Sequence, residues 1–418
     1  MKTKRNINNI ARTAGVPEQN MQQFISDSPW SGYGLIEVLQ QDITMHPHFQ
    51  QGENILLIDE SADQKAGEHS AGAGRQHNGR LGKVEMSQVG VFLSLTNSGY
   101  HNWIDGELYF PKKWFTDAYA AKRQRIGMPQ ERTFATKLEL ALQMTKRAYE
   151  NGVSFAAVDC DCLYGRSTEF RDRLNQEGFE YYADIPSDTQ VYLEPPRINY
   201  PLTKKGGLSK NHEVVGLAYR VEELQAHEEI KWEKITLRPN ERGMLRAKFA
   251  HFRIWTVRED GSWRQEWLLI RQAKKETTFS LSNAPEDTPL STMAQRKSQR
   301  YFIERSNQDA KSEFGWDEFQ AIKYRAWEHH LALTIMANWF ITETRLDWAQ
   351  KYKRDPDLLE KYETDVLPVL SVANVRELLR ATMPLPQLSP QQAAELIVKH
   401  LDNRTRSRKS RLRKALSL

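Results

Sequence analysis

The spacing of apolar positions changes several times along the chain, and each change marks a unit. Over residues 5–50 the spacing is helical: Ile7, Ile10 and Ala14 share a face, Gly15 stops that helix and Pro17 opens the next. Short helices broken by a glycine turn predict a helix-turn-helix-like module, a pattern shared with small bundles that bind no DNA. At Asn54 the texture alters. NILLIDES is an apolar run ending in acids, which predicts a strand buried on both faces with Asp59 at its end. SQVGVFLSLTN and YHNWIDGELYFP predict two more strands joined by a hairpin turn at TNSGY. ATKLELALQMTKRAYENG predicts a helix ended by Gly152. VSFAAVDCD predicts a buried strand with Asp161 at its end, STEFRDRLNQEG a short helix, and FEYYADIP a further strand.

Residues 190–285 alternate apolar and polar, with many aromatics, and predict a β-rich block. Helical spacing returns in RYFIERSNQDAKSEFG (Arg300–Gly315) and persists beyond Trp316. The organisation expected is a helical N-terminal DNA-binding region over 1–50 and an α/β core over 51–189. A β-rich insertion follows over 190–288, then the last part of the core over 289–345 and a helical basic region over 346–418. A strand, a hairpin, a helix and a strand, closed by a later acidic helix, form a ribonuclease-H-like α/β layout.

Composition sharpens this picture. A chain of 418 residues, 39% apolar and 27% charged, has ample core material for two or three domains. No apolar run approaches the roughly 18–20 residues that span a bilayer. MKTKRNINNIARTAGV lacks the apolar segment of a secretory signal, so a cytoplasmic location is expected. Cys160 and Cys162 flank Asp161 too closely for a good bridge and without a second pair for zinc, and read as small strand residues. The net charge of +5 is unevenly placed: RTRSRKSRLRK (Arg404–Lys414) holds seven cations and no acid. That tail, with Arg408, Lys409 and Arg411, predicts nucleic-acid phosphate as partner, the plain alternative being a solubilising tail.

The acids carry the chemistry. Acids at the ends of buried strands cost desolvation unless paired, and open α/β sheets hold their sites at such ends. On the Arg300 helix, Arg300, Glu304, Gln308 and Lys311 fall within about 80° of one another around the axis. An exposed ion-pair ladder is the plain reading of that face. The sharper one makes Glu304 a third oxygen ligand beside Asp59 and Asp161, a set suited to hard divalent ions such as Mg²⁺. Asp159 competes with Asp161 on the same strand. Glu60 and Asp63 read as solvated loop acids, and His69, His77 and His101 lack ligand spacing. SAGAGRQHNGRLGK matches neither phosphate-loop pattern and predicts a mobile loop whose Arg75, Arg80 and Lys83 touch DNA. In the β-rich block Trp232, Trp255, Trp263 and Trp267 mix with Arg253, Arg258 and Arg264. Core of a small sheet is the plain reading there, and stacking on DNA bases the functional one.

Together these segments resemble the DDE-type transposases of bacterial insertion sequences, nearest the branch numbered seven hundred and one. The resemblance runs along most of the chain. FISDSPW resembles the end of that family's N-terminal region, and LLIDES its first-acid block. GELYFPKKW resembles the segment after its hairpin, Asp161-Cys-Leu-Tyr-Gly165 its second-acid motif, and RYFIERSNQDAK its third. The resemblance implies Asp59, Asp161 and Glu304 as the catalytic and metal-binding triad, with Arg300 and Lys311 on DNA phosphate. The wider superfamily places a tyrosine three residues before that arginine, where this chain has Lys297, with Tyr301 off register. It further implies Mg²⁺, with Mn²⁺ as substitute, acting on double-stranded DNA: transposon terminal inverted repeats and the target. The enzyme would be a homodimer on DNA, nucleoid-associated when bound, that cleaves transposon ends and joins their 3′ hydroxyls to the target without a covalent enzyme intermediate. A stand-alone nuclease and a DNA-binding regulator are the rival readings.

Overall fold

A computed structural model describes residues 5–418 apart from 80, 202–211, 241–242, 274–275, 320, 364–366, 368, 383–388, 393, 396–397, 399–400, 403–404, 407, 410–412 and 414–418. Four helices come first: α1 (Ile7–Thr13), α2 (Glu18–Ser26), α3 (Gly32–Met45) and α4 (Pro47–Gln50). Asn6 and Ser31 cap α1 and α3 through side-chain oxygens that accept from backbone amides, satisfying donors that a helix start leaves open. The turn predicted at Gly15 is there, with φ 68°.

The core strands follow as β1 (Ile55–Gln64), β2 (Gly74–Asn78), β3 (Lys83–Asn97) and β4 (Tyr100–Tyr109). Ser98 and Gly99, at φ 50° and 89°, make the tight turn between β3 and β4, a backbone course that suits glycine and matches the twist of a hairpin. After α5 (Ala120–Ile126) come α6 (Lys137–Glu150), β5 (Ala157–Cys160), α7 (Cys162–Gly165), α8 (Thr168–Gln176) and β6 (Tyr181–Ile185). Thr136 and Glu139 close a reciprocal capping box on α6. The core sheet runs β6–β5–β1–β3–β4, with β6, β5 and β1 parallel and β3 and β4 antiparallel. That order is ribonuclease-H-like.

The β-rich block contributes β7 (Gln190–Tyr192), β8 (Arg197–Asn199), β9 (Glu213–Val215) and β10 (Ala218–Arg220). It continues with β11 (Glu233–Asn240), β12 (Gly243–Val257), β13 (Trp263–Ala273) and β14 (Glu276–Ser282). β14 pairs antiparallel with β6, so most of these strands extend the core sheet, to twelve strands among the described residues, while β8 and β9 pair separately. The added strands still own a core, in which Phe252, Leu268, Ile270 and Phe279 pack together apart from the main cluster. The chain then forms α9 (Leu290–Lys297), α10 (Tyr301–Ser312), α11 (Tyr324–Tyr352), α12 (Pro356–Lys361) and α13 (Val372–Thr382). α10 packs on β1, β3 and β4; α11 packs on β4 and α3. No helix among the described residues is long and apolar enough to cross a membrane.

Three local expectations are corrected. Asp59 does not end its strand: β1 continues to Gln64, because β3 is long enough to pair it from Ile55↔Thr96 through Gln64↔Ser87. Glu60 and Asp63 are therefore strand residues, not solvated loop acids. Lys137 lies 2.9 Å from Glu60, and Asp63 is 6% exposed. The glycine-rich stretch, expected as a loop, holds β2, paired to β3 from Gly74↔Ser87 to Asn78↔Lys83. The helix expected from Arg300 to Gly315 starts after a 3₁₀ turn at Ser298–Arg300 and ends at Ser312, with Gly315 left-handed at φ 75°.

Candidate active site

Parallel pairing of β1 and β5 puts Ile58 beside Cys160, so the next residues along the two strands are Asp59 and Asp161. Asp161 caps α7: its Oδ1 accepts from the Leu163 amide at 2.8 Å, which fixes one oxygen. Asp59 Oδ1 accepts from the Glu60 amide at 2.8 Å, and its Oδ2 accepts from Asn307 Nδ2 at 3.3 Å. The Trp103 indole donates to Asn307 Oδ1 at 3.1 Å, which settles the way that amide points. Burial pushes the Asp59 carboxyl up to about 7; Arg300 pulls it down and Asp161 pushes it up again.

Arg300 stands among the acids. Its Nη1 donates to Glu304 Oε1 at 3.0 Å, its Nη2 lies 3.9 Å from Asp161 Oδ2, and its Nε lies 3.5 Å from Asp184 Oδ2. Burial works against its charge, but Asp184, Asp59, Asp159 and Asp161 outweigh it and hold the guanidinium above the usual arginine value. Glu304 itself is exposed, one turn further along α10. The ion pair of the plain reading thus forms, and the same guanidinium also lies near Asp161.

Behind this edge lies a different kind of pair. Asp159 is fully buried, and its Oδ1 accepts from Lys297 Nζ at 2.8 Å. Burial pushes the Asp159 carboxyl up to about 7, with Lys297 pulling against it. Burial likewise works to lower the Lys297 ammonium, but Asp159 and Asp184 prevail and raise it. The two aspartates that compete in the sequence therefore differ in surroundings: Asp159 is neutralised by a lysine, whereas Asp161 joins the cluster around Arg300.

The remaining candidates are spread out. Lys311 Nζ donates to the Ala62 carbonyl at 3.2 Å and lies 3.8 Å from Asp63, so it is tied to the far half of β1. Arg75 and Lys83 are exposed on β2 and β3, with Lys83 3.0 Å from Glu85. Arg408 and Lys409 are exposed and helical; Arg80 and Arg411 lie outside the described residues. His69 and His77 are exposed, and His101 is buried 3.3 Å from Asp309. In the added strands Arg258 and Arg264 are taken by Asp172 and Glu266, while Arg253 lies 4.8 Å over the Trp267 ring. Trp263 is exposed and meets Trp255 edge-on at 4.7 Å.

Three residues of the cluster escape a sequence reading of the acids: Asn307, Lys297 as the partner of Asp159, and Asp184. Asn307 has a signal, since it lies seven residues after Arg300 and three after Glu304, on the same helix face. Asp184 sits in β6, beside β5 in the parallel part of the sheet. As a donor set, Asp59, Asp161 and Glu304 are all carboxylate oxygens and fit a hard divalent cation. Among the described residues no three such side chains stand close enough to share one ion, and Arg300 supplies the positive charge between Asp161 and Glu304.

Comparison with known proteins gives the chain a family. A family model for DDE superfamily endonucleases matches residues 1–244. A "Probable transposase for insertion sequence element IS701" from Microchaete diplosiphon is 24% identical over 330 residues, covering 75% of this chain and 72% of the relative. Among solved structures, the NurA nuclease from Sulfolobus solfataricus overlaps 74% of this chain and 93% of its own at 10% identity. Its TM-score is 0.28, too loose to bear on the fold, which rests on the strand order above.

Proposed function

This chain belongs to the DDE superfamily of endonucleases, and on that footing we propose that it is a DNA transposase whose active site is Asp59, Asp161 and Glu304. It cuts at the ends of a mobile element and joins the freed 3′ hydroxyls to target DNA. The observation that carries the reading is the single guanidinium of Arg300, which touches Glu304 and approaches Asp161 while Asp59 stands on the neighbouring strand. A divalent cation, Mg²⁺ or in its place Mn²⁺, held by the three carboxylates would polarise the scissile phosphodiester and activate the attacking oxygen. The protein's own part is positional. The α7 cap fixes Asp161, Asn307 holds one oxygen of Asp59, and Arg300, one turn before it, holds Glu304.

Arg300 then turns to the substrate phosphates, with Lys311 further along the helix face; Arg75, Lys83 and the basic C-terminal region bind the backbone at a distance. Two element ends must be held at once, so the working form is a homodimer on DNA. The test is an end-bearing duplex oligonucleotide with Mg²⁺ and a target plasmid. The parent protein cuts and joins. Asp59→Asn, Asp161→Asn and Glu304→Gln each lose both steps while binding DNA within about twofold of the parent, since the triad acts on the bond and not on affinity. Cutting that survives all three substitutions removes the assignment, and cutting without joining makes the protein a nuclease.

A further inference from the structure

A cavity of about 880 Å³ opens on the other side of α10 from the acids. Tyr301, Arg305 and Asp309 follow one another at four-residue spacing, with Tyr301 about 60° around the axis from Glu304 and every other pair between this row and Arg300, Glu304 and Asn307 about 100° or more apart. One helix therefore borders two sites. Facing walls come from Arg345 of α11, Tyr100 at the start of β4 and Arg238 of β11.

Two cations of this cavity have no carboxylate within ion-pair distance among the described residues. Arg345 is 8% exposed; its Nε donates to the Leu370 carbonyl at 2.7 Å and its guanidinium lies 5.0 Å over the Tyr100 ring. Its Nη1 has no hydrogen-bond partner, and no carboxylate among the described residues stands within ion-pair distance. Burial pushes this guanidinium below the usual arginine value, against the opposing pull of Tyr100 and Asp309. Arg238 stacks 4.1 Å over the ring of Tyr301, which is 47% exposed, and its Nε is also unpartnered. Arg305, by contrast, is paired with Asp309 at 3.3 Å. Burying a cation with no anion in direct contact is costly, and Asp309 is already bonded to Arg305, so Arg345 marks a place where a ligand brings a contacting charge. An exposed aromatic ring backed by a guanidinium is a stacking platform for a flat, electron-rich group.

We propose that this cavity receives a nucleotide of single-stranded DNA, with its phosphate on Arg345 and its base against Tyr301. The inference rests on DNA being the substrate, and it adds a second contact for a strand that leaves the duplex near the acids. Free nucleotides share this chemistry, and the test separates the two sources.

Fluorescence anisotropy with a labelled single strand of about eight nucleotides, without divalent cation and at about 0.2 M salt, reads binding with no cleavage and with the basic tail screened. Arg345→Gln and Tyr301→Ala are each expected to weaken binding about tenfold, while duplex binding changes less than twofold. Tyr301 is exposed, so its variant keeps the test alive if Arg345→Gln fails to fold. Folded variants that bind the strand as tightly as the parent overturn the proposal. So does a deoxynucleoside monophosphate that binds with the same Arg345 dependence while the strand does not. Because no cutting is measured, failure here is distinct from failure of the triad.

Discussion

The ammonium of Lys297 donates to Asp159 across 2.8 Å, and both side chains are buried. The pair joins α9 to β5 directly behind the sheet edge, where Asp161 takes part in the cluster around Arg300. Removing one partner of such a pair leaves an uncompensated charge, so Lys297→Met should cost about 3 kcal/mol. Combining it with Asp159→Leu, which removes both charges, should recover most of that loss. Asp161→Asn, at a half-exposed position, should cost under about 1 kcal/mol while ending cleavage. Urea denaturation beside a cleavage assay separates the two aspartates: one a structural member, the other a working one. Equal stability costs at both positions would remove that distinction.

Gly165, the last residue of the Asp161-Cys-Leu-Tyr-Gly165 motif, has a steric reason to be glycine. A β-carbon there would lie 2.0 Å from the Asp184 carbonyl oxygen, a backbone atom that cannot step aside without moving β6. The close approach lets the Gly165 amide donate to the Asp161 carbonyl at 2.8 Å and seats Tyr164 at 0% exposure. Gly165→Ala is therefore expected to destabilise the protein by roughly 2–3 kcal/mol. It should also lower cleavage, because the turn that aims Asp161 must shift. A thermal melt and an end-cleavage assay on the variant check both effects.

What the sequence made legible was local. The capped start of α6, the turn at Ser98–Gly99, the buried run of β1 and the aspartates on β1 and β5 all announce themselves within a few residues. What stayed hidden was set by partners far along the chain. Lys297 and Asp159 are 138 residues apart, and only the fold reveals that the lysine neutralises one of two rival aspartates. β2 is polar and glycine-rich, so its pairing to β3 has no apolar signature. The join between β14 and β6, which carries the added strands onto the core sheet, is likewise a matter of long-range register. The polar face of α10 was readable as a face, but not that Asn307 on it donates to Asp59.

Asn307 links three elements: it donates to Asp59 at 3.3 Å and accepts from Trp103 at 3.1 Å. If Asp59 is a metal ligand as proposed, a group that orients it is worth about tenfold to a hundredfold in activity when removed. Asn307→Ala should thus slow single-turnover cleavage at least about tenfold with DNA affinity unchanged. It should also cost about 1 kcal/mol, since the buried Trp103 indole loses its acceptor. Adding Trp103→Phe to it removes the stranded donor and should restore part of the stability but none of the rate. A cleavage rate equal to the parent's would show that Asp59 needs no such support.

Glu266 on β13 is fully buried and ringed by cations: Arg171 at 3.1 Å, Arg264 at 3.3 Å and Arg258 at 3.6 Å, with Thr256 and Tyr181 donating as well. Arg171 lies on α8, Tyr181 on β6 and Thr256 on β12, so the carboxylate fastens the added strands to the core. Burial alone would raise its pKa. Arg171 and Arg264, aided by Thr256 and Tyr181, reverse that and hold it near about 2, below the ordinary 4.5. The sign follows directly. The unfolded chain takes up a proton as pH falls through 4.5 and the folded one only near 2, so this contribution is complete above 4.5 and drains away on acidification. Glu266→Gln keeps the shape and removes the charge, leaving three guanidinium groups without it. Its deficit against the parent should be about 2–3 kcal/mol at pH 7 and shrink by up to about 1.4 kcal/mol per pH unit below 4.5. Other acids titrate alike in both proteins and cancel in the difference. Urea denaturation of the pair at pH 7, 5 and 3 reads this, and a deficit as large at pH 3 as at pH 7 would mean that the charge of Glu266 is not what binds the strands together.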